Sequence, residues 1–169
     1  FVFSALIDSM RPVIFESNKI SEERFEKNMA RLYSLIIYMG LAQSVVLTLL
    51  ADPIISVLYG KDYLPSIPLL QIITWYSAFS YMGSVRNIWM LAKEKQRYLW
   101  LINLMGAALN VAGNFALIPV LGASGAAIAS VATQFFTNFI LCLIFKPIKP
   151  TTRLIVRALN PKTIIEMIP

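Results

Sequence analysis

The chain has 169 residues, of which 57% are hydrophobic and 14% charged, with a formal net charge of +6. Soluble domains carry about a quarter charged residues, so this composition excludes an ordinary water-soluble domain. Histidine is absent and Cys142 is the sole cysteine, which leaves little for zinc, haem, His-based acid–base chemistry or an internal disulfide. No cofactor is expected.

In chain order, residues 1–7 are apolar but too short to span a bilayer, and no basic stretch precedes them as in a signal peptide. The first residue is Phe rather than Met, and residues 1–15 are expected to be the end of a truncated transmembrane helix. Asp8 and Arg11 are three apart on that helix, the spacing of a local ion pair. Residues 16–31 form a charged link in which Ser21 is a candidate N-cap, without the preferred acid three residues on.

Four segments then reach the roughly 20 apolar residues that a helix needs to cross a hydrocarbon core. They are residues 32–51, 67–92, 98–118 and 122–145, and the sole charge within them is Arg86. Pro53, Pro65, Pro119 and Pro147 fall at or beyond the ends of these segments, where helix breakers belong. Between the first two, residues 54–59 are apolar and predict a cap on the bundle, with Tyr59 and Tyr63 at headgroup depth. Residues 146–169 form a basic tail that Pro147 and Pro150 separate from the last span, and residues 153–159 have the pattern of a short amphipathic helix on a leaflet surface. Cys142, among apolar neighbours, is expected to be a buried thiol.

Lys and Arg counts give the orientation. Five precede the first span (Arg11, Lys19, Arg24, Lys27, Arg31), and the loop 52–66 holds Lys61 alone. Three follow the second span (Lys93, Lys95, Arg97), and the turn after the third has none. The tail has five: Lys146, Lys149, Arg153, Arg157 and Lys162. The alternation predicts that the basic segments and the C-terminus are cytoplasmic, with anionic membrane lipids, and not nucleic acid, as partners of the charge.

Polar residues within spans pack between helices or line a wet cavity. Asn103, Asn110 and Asn114 fall within about 40° of one another on a helical projection, beside Gly106 and Gly113. A close helix–helix seam and a cavity wall are both open readings. On the fourth span Ala123, Ala126, Ala127, Ser130, Gln134 and Thr137 share a face that reads first as packing. Arg86 lies about 9 Å of helix rise from its span's cytoplasmic end, where it either snorkels to the headgroups or turns inward to bind phosphate. The four spans hold no Asp or Glu, so a coupling carboxylate in this chain would have to be Asp8.

The stretch NLMGAALNVAGNFALIPVLGASGAAIASVATQ (residues 103–134) resembles the last two core helices of the polysaccharide flippase branch of the multidrug/oligosaccharidyl-lipid/polysaccharide exporter superfamily. Spaced Asn and Gly residues lead into LIP and then GAAIA, with Ser130 where the family usually has Thr. RPVIFESNKISEERFEKNMARLY and ADPIISVLYGKDY are similar to the family's links before and after its ninth helix. The resemblance implies an all-α integral membrane bundle: four complete transmembrane helices (residues 32–145) and the end of a fifth, within a two-lobe, twelve-helix transporter.

It also implies a bacterial inner-membrane flippase and not an enzyme, one that moves oligosaccharide on a polyprenyl pyrophosphate by alternating access. Its partners would be the missing N-terminal lobe and a glycan polymerase complex. Such a headgroup needs cations for phosphate, which Arg86 and Arg11 would supply, and amides for sugar, from Asn103, Asn110, Asn114 and Gln134. A drug or peptidoglycan-precursor exporter of the same superfamily and a non-transporting scaffold of glycan assembly are the alternatives.

Overall fold

Some helix boundaries coincide with a cap or a glycine, whereas the helices Val2–Ile20 and Leu99–Leu121 run through Pro12 and Pro119, so the third span does not end before Pro119 as expected. Residues 2–160 are described by the computed structural model and are helical or in short turns throughout; Phe1 and residues 161–169, with Lys162 of the basic tail, lie outside the described residues. Helix α1 (Val2–Ile20) stops at Ser21, whose Oγ accepts the Arg24 backbone N–H at 3.2 Å and caps α2 (Glu22–Leu49). The cap expected from the sequence is therefore present. The charged stretch 16–31 is less a link than two helix ends meeting at one residue. Helix α1 extends through residue 15 to Ile20, and the remainder forms the first turns of α2.

A short α3 (Ala51–Leu58) follows, then a 3-10 turn over Lys61–Ser66. Gly60 enters that turn at φ 84, a conformation only glycine adopts without strain. Helix α4 (Ile67–Ala92) takes Pro68 in its first turn, and a turn at Gln96–Tyr98 leads into α5 (Leu99–Leu121). Gly122, at φ 56, ends α5 and starts α6 (Ala123–Phe135). A π-helical turn over Phe136–Ile140 joins α6 to α7 (Leu141–Ile144). The chain then breaks at Pro147 and resumes as α8 (Pro150–Ala158).

Three of these stretches are long and apolar enough to cross a membrane: Glu22–Leu49, Gln96–Leu121 and Ala123–Ile144. The expected second span, residues 67–92, forms α4, which has the length at 26 residues but not the apolarity. Tyr76, Ser80, Ser84, Arg86 and Asn87 dilute it.

Helix α2 is the centre of the bundle, packed on α1, α4 and α8, while α4 also carries α6. Phe25, Met29, Leu32, Tyr33 and Ile36 of α2 are fully buried with Val85 and Met90 of α4 and with Ile14 and Ile148. At Gly40 the helices approach so closely that a Cβ there would sit 3.1 Å from the Ala78 Cα. Helix α5 reaches the bundle chiefly through α6. Its outer face, with Trp100, Leu104, Val111, Phe115 and Val120, is exposed, as suits a surface solvated by lipid.

The amphipathic tail helix is present and starts at Pro150. Its apolar side lies on protein instead of on a leaflet. Leu154, Ile155 and Ala158 are buried, Ser34 Oγ donates to the Ala158 carbonyl at 2.6 Å, and Tyr38 Oη donates to the Leu159 carbonyl at 2.8 Å. Cys142 is buried, as its neighbours predicted.

Candidate functional site: a polar cavity with one guanidinium

A cavity of about 490 Å³ opens between α4, α5 and α6. Helix α4 contributes Tyr76, Ser80, Ser84 and Asn87, which recur every three to four residues and so share one face, with Arg86 at the edge of that face, one turn from Gly83. Helix α5 contributes Asn103, Gly106 and Asn110; α6 and its π turn contribute Ser130, Thr133, Gln134, Thr137 and Asn138. Ile102 is the one large aliphatic side chain in the lining, and no carboxylate is part of it.

Arg86 turns inward. It is 4% exposed, and its Nη1 donates to the Thr137 carbonyl at 2.7 Å and to Asn138 Oδ1 at 2.8 Å. Nη2 makes a longer contact with Asn87 Oδ1 at 3.3 Å, and Nε has no hydrogen-bond partner. The snorkelling alternative does not describe this side chain. The π turn explains why a backbone carbonyl is available: the Leu141 N–H bonds to the Phe136 carbonyl, so Thr137 does not receive its α-helical donor. Such turns are frequent at functional sites because they expose backbone in this way.

Asn138 organises the wall. Besides accepting from Arg86, its Nδ2 donates to Gln134 Oε1 at 2.7 Å and to the Phe79 carbonyl at 3.0 Å. Gly83 makes the room: a Cβ there would lie 2.5 Å from Asn138 Oδ1.

Four of the residues singled out from the sequence, Arg86, Asn103, Asn110 and Gln134, line this one cavity. Asn114 does not line it but donates to Asn110 Oδ1 at 2.9 Å, and so orients an amide that does. Both readings of the asparagine face have substance. Glycines on α5 pack against α6, where a Cβ at Gly113 would lie 3.1 Å from Ala129 Cβ and one at Gly106 would lie 3.1 Å from Thr137 Cγ2, and the amides beside them face the cavity.

Arg11 is not brought to the site. It is exposed on α1 and paired with Asp8 at 3.0 Å, the local ion pair that the spacing predicts.

Sequence reasoning missed Ser80, Ser84, Asn87, Thr133 and Asn138. The first three were visible as a polar stripe around Arg86, and Asn138 stands one helical turn beyond Gln134 on the same face. The face of α6 that read first as packing also carries Ser130, Gln134 and Thr137 into the cavity.

Chemically the arrangement is a set of ligand-binding groups. It offers one cation and a set of neutral donors and acceptors, suited to an anionic group attached to a hydroxyl-rich body. Among the described residues no cluster of His, Cys, Asp or Glu could hold a metal ion. Comparison with models of protein families, with curated proteins and with solved structures found no match to this chain. The fold and site thus define a class of protein: an all-helical bundle, with helices able to cross a membrane, built around a polar, singly cationic cavity.

Proposed function

We propose that the chain belongs to a flippase that moves polyprenyl-pyrophosphate-linked oligosaccharide units across the bacterial inner membrane. The observation that carries the reading is a cavity whose single charge is a buried guanidinium and whose remaining wall is amides and hydroxyls. Phosphate is matched by Arg86 and sugar hydroxyls by Asn103, Asn110 and Gln134, with Asn114 behind them. The motif LIP…GAAIA and its flanks, similar to the polysaccharide branch of the exporter superfamily, point the same way.

On this reading α4 crosses the membrane as a fourth span. Its polar stripe is sheltered from lipid by facing the cavity, and its apolar residues meet α2. The basic segments and the C-terminus are cytoplasmic and touch anionic lipids. A second lobe, as the family resemblance implies, closes the cavity from the other side and alternates access. Hydroxyls and amides with no histidine or carboxylate beside them in the lining to activate them fit translocation better than covalent chemistry.

The test is complementation. The complete gene is expressed in a bacterium lacking its own O-antigen flippase, and surface polysaccharide is measured. Export is expected, and Arg86→Ala is expected to abolish it at unchanged protein abundance. Export at the wild-type level in that variant refutes the role of Arg86. Loss of export that merely follows loss of protein makes Arg86 a packing residue. Absence of export with the native lipid-linked substrate leaves the drug-exporter or scaffold reading.

A further inference from the structure

The guanidinium of Arg86 is buried beside a neutral amide at the position where a carboxylate would ordinarily stand. A buried cation normally has an ionised partner, because removing an ion from water costs several kcal/mol. Here the partners are the Thr137 carbonyl, Asn138 Oδ1 and, at longer range, Asn87 Oδ1, all uncharged. The ion pairs among the described residues join Asp8 to Arg11 and Glu22 to Lys93, and neither involves the cavity. Among the described residues, the charge of Arg86 therefore has no ionised partner in the cavity.

Asn138 is held in place by more than this one contact. Its Nδ2 is fixed by Gln134 Oε1 and the Phe79 carbonyl, which identifies Oδ1 as the atom turned toward Arg86, in space that the absent side chain of Gly83 leaves open. Aspartate has almost the same shape. It would keep the acceptor for Arg86 and supply an ionised partner from within.

We propose that Asn138 determines the charge specificity of the cavity: by presenting a neutral acceptor, it leaves Arg86 positively charged toward the cavity, so that the ligand's anionic group supplies the counter-charge. The inference rests on the reading of the cavity as the phosphate end of the transport path. It adds a residue and a rule: the ligand group met by Arg86 is a phosphate-type anion, and a neutral analogue is rejected. Asn138 acts as a specificity residue, through Arg86.

The test uses the purified full chain in detergent with inorganic pyrophosphate as the probe, and two variants that separate charge from packing. Asn138→Asp is expected to weaken pyrophosphate binding by roughly tenfold or more, the size of a lost charge-assisted contact. It sets an oxygen against the Phe79 carbonyl and Gln134 Oε1 in place of the Nδ2 donor, but it converts the Arg86 contact into an ion pair, and on that balance it should melt higher than Asn138→Ala. Asn138→Ala removes the side-chain bonds but leaves Arg86 charged. It is expected to bind within roughly threefold of wild type while melting lower.

Binding and stability thus rank the two variants in opposite orders, which a purely structural role cannot produce. Binding that follows melting temperature across both variants overturns the proposal. So does Asn138→Asp binding as well as wild type, or wild type that fails to bind pyrophosphate at all. The export assay is read independently: opposite ranking without Arg86-dependent export leaves the anion site standing and removes the flippase reading, whereas the reverse removes the charge rule alone.

Discussion

Helix α4 has two sides that follow opposite rules. Toward α2 it is packed as tightly as a soluble core: Val85 and Met90 meet Met29, Tyr33 and Ile36 with no exposed surface, and Gly40 meets Ala78 backbone to backbone. Toward α5 and α6 it opens onto a cavity of about 490 Å³ lined by a guanidinium, amides and hydroxyls. The first side secures the bundle by shape, because in lipid the gain comes from close contact more than from excluding water. The second gives up packing to keep polar groups available. Substitutions on the two sides should therefore fail in different assays.

The largest effect belongs to the packed side. Phe25 is fully buried in the core, and the Lys93 ammonium lies over its ring at 4.2 Å. Phe25→Ala is expected to cost about 3–5 kcal/mol, as for large core truncations generally. In practice this would appear as a lowered melting temperature in detergent and reduced membrane abundance, with export falling only in proportion. Preserved abundance with selective loss of export would place Phe25 on the functional side and break the division.

A smaller effect is expected where the packed side meets water. Lys93 joins the α1–α2 junction to the end of α4: its Nζ reaches Asn18 Oδ1 at 2.8 Å and pairs with Glu22, while Asn18 Nδ2 donates to the Ala92 carbonyl. Glu22 is mostly exposed, so the ion pair alone contributes at most about 1 kcal/mol. The aromatic contact and the amide raise the total for Lys93→Ala to about 1–2 kcal/mol. Part of that loss should fade with added salt, since the pair is screened and the ring contact much less so. Thermal melts of wild type and variant at low and high ionic strength check this, and a salt-independent difference would leave the ion pair with no share.

The same division governs what could be read from the sequence. Some helix ends were legible because local chemistry sets them, Ser21 as a cap and Pro147 as a break, but the turn expected at Pro119 was not: α5 runs through that proline and ends at Gly122. The asparagines of α5 were legible as one face, because period and spacing belong to a single helix. The position of Arg86 was not. Its distance from the helix end allowed either direction, and the deciding partners, Thr137 and Asn138, are 51 and 52 residues away in sequence. The docking of α8 on α2 was hidden for the same reason, since an amphipathic helix shows its apolar face but not what covers it. Arg11 shows the opposite case: its local pairing with Asp8 was readable, while its assignment to the cavity came from the chemistry of the expected ligand alone.

The last prediction tests the comparison where the two rules lie closest, on the seam between α5 and α6. Asn110 faces the cavity, accepts from Asn114, and makes a contact at the limit of a hydrogen bond, 3.5 Å, with Ser130 Oγ. The α5–α6 approach itself is set by Gly106 and Gly113, which Asn110→Ala leaves intact. Interhelical hydrogen bonds between membrane helices average about 0.6 kcal/mol, so Asn110→Ala should barely move the melting temperature or abundance. If the amide serves the ligand, export should nonetheless fall several-fold, by about the value of one or two hydrogen bonds. Export normalised to protein level in the complementation strain, together with the melt, separates the outcomes. A fall in abundance matching the fall in export would make the asparagine seam part of the packed side, and the functional wall would then begin at Asn103, Gln134 and Arg86.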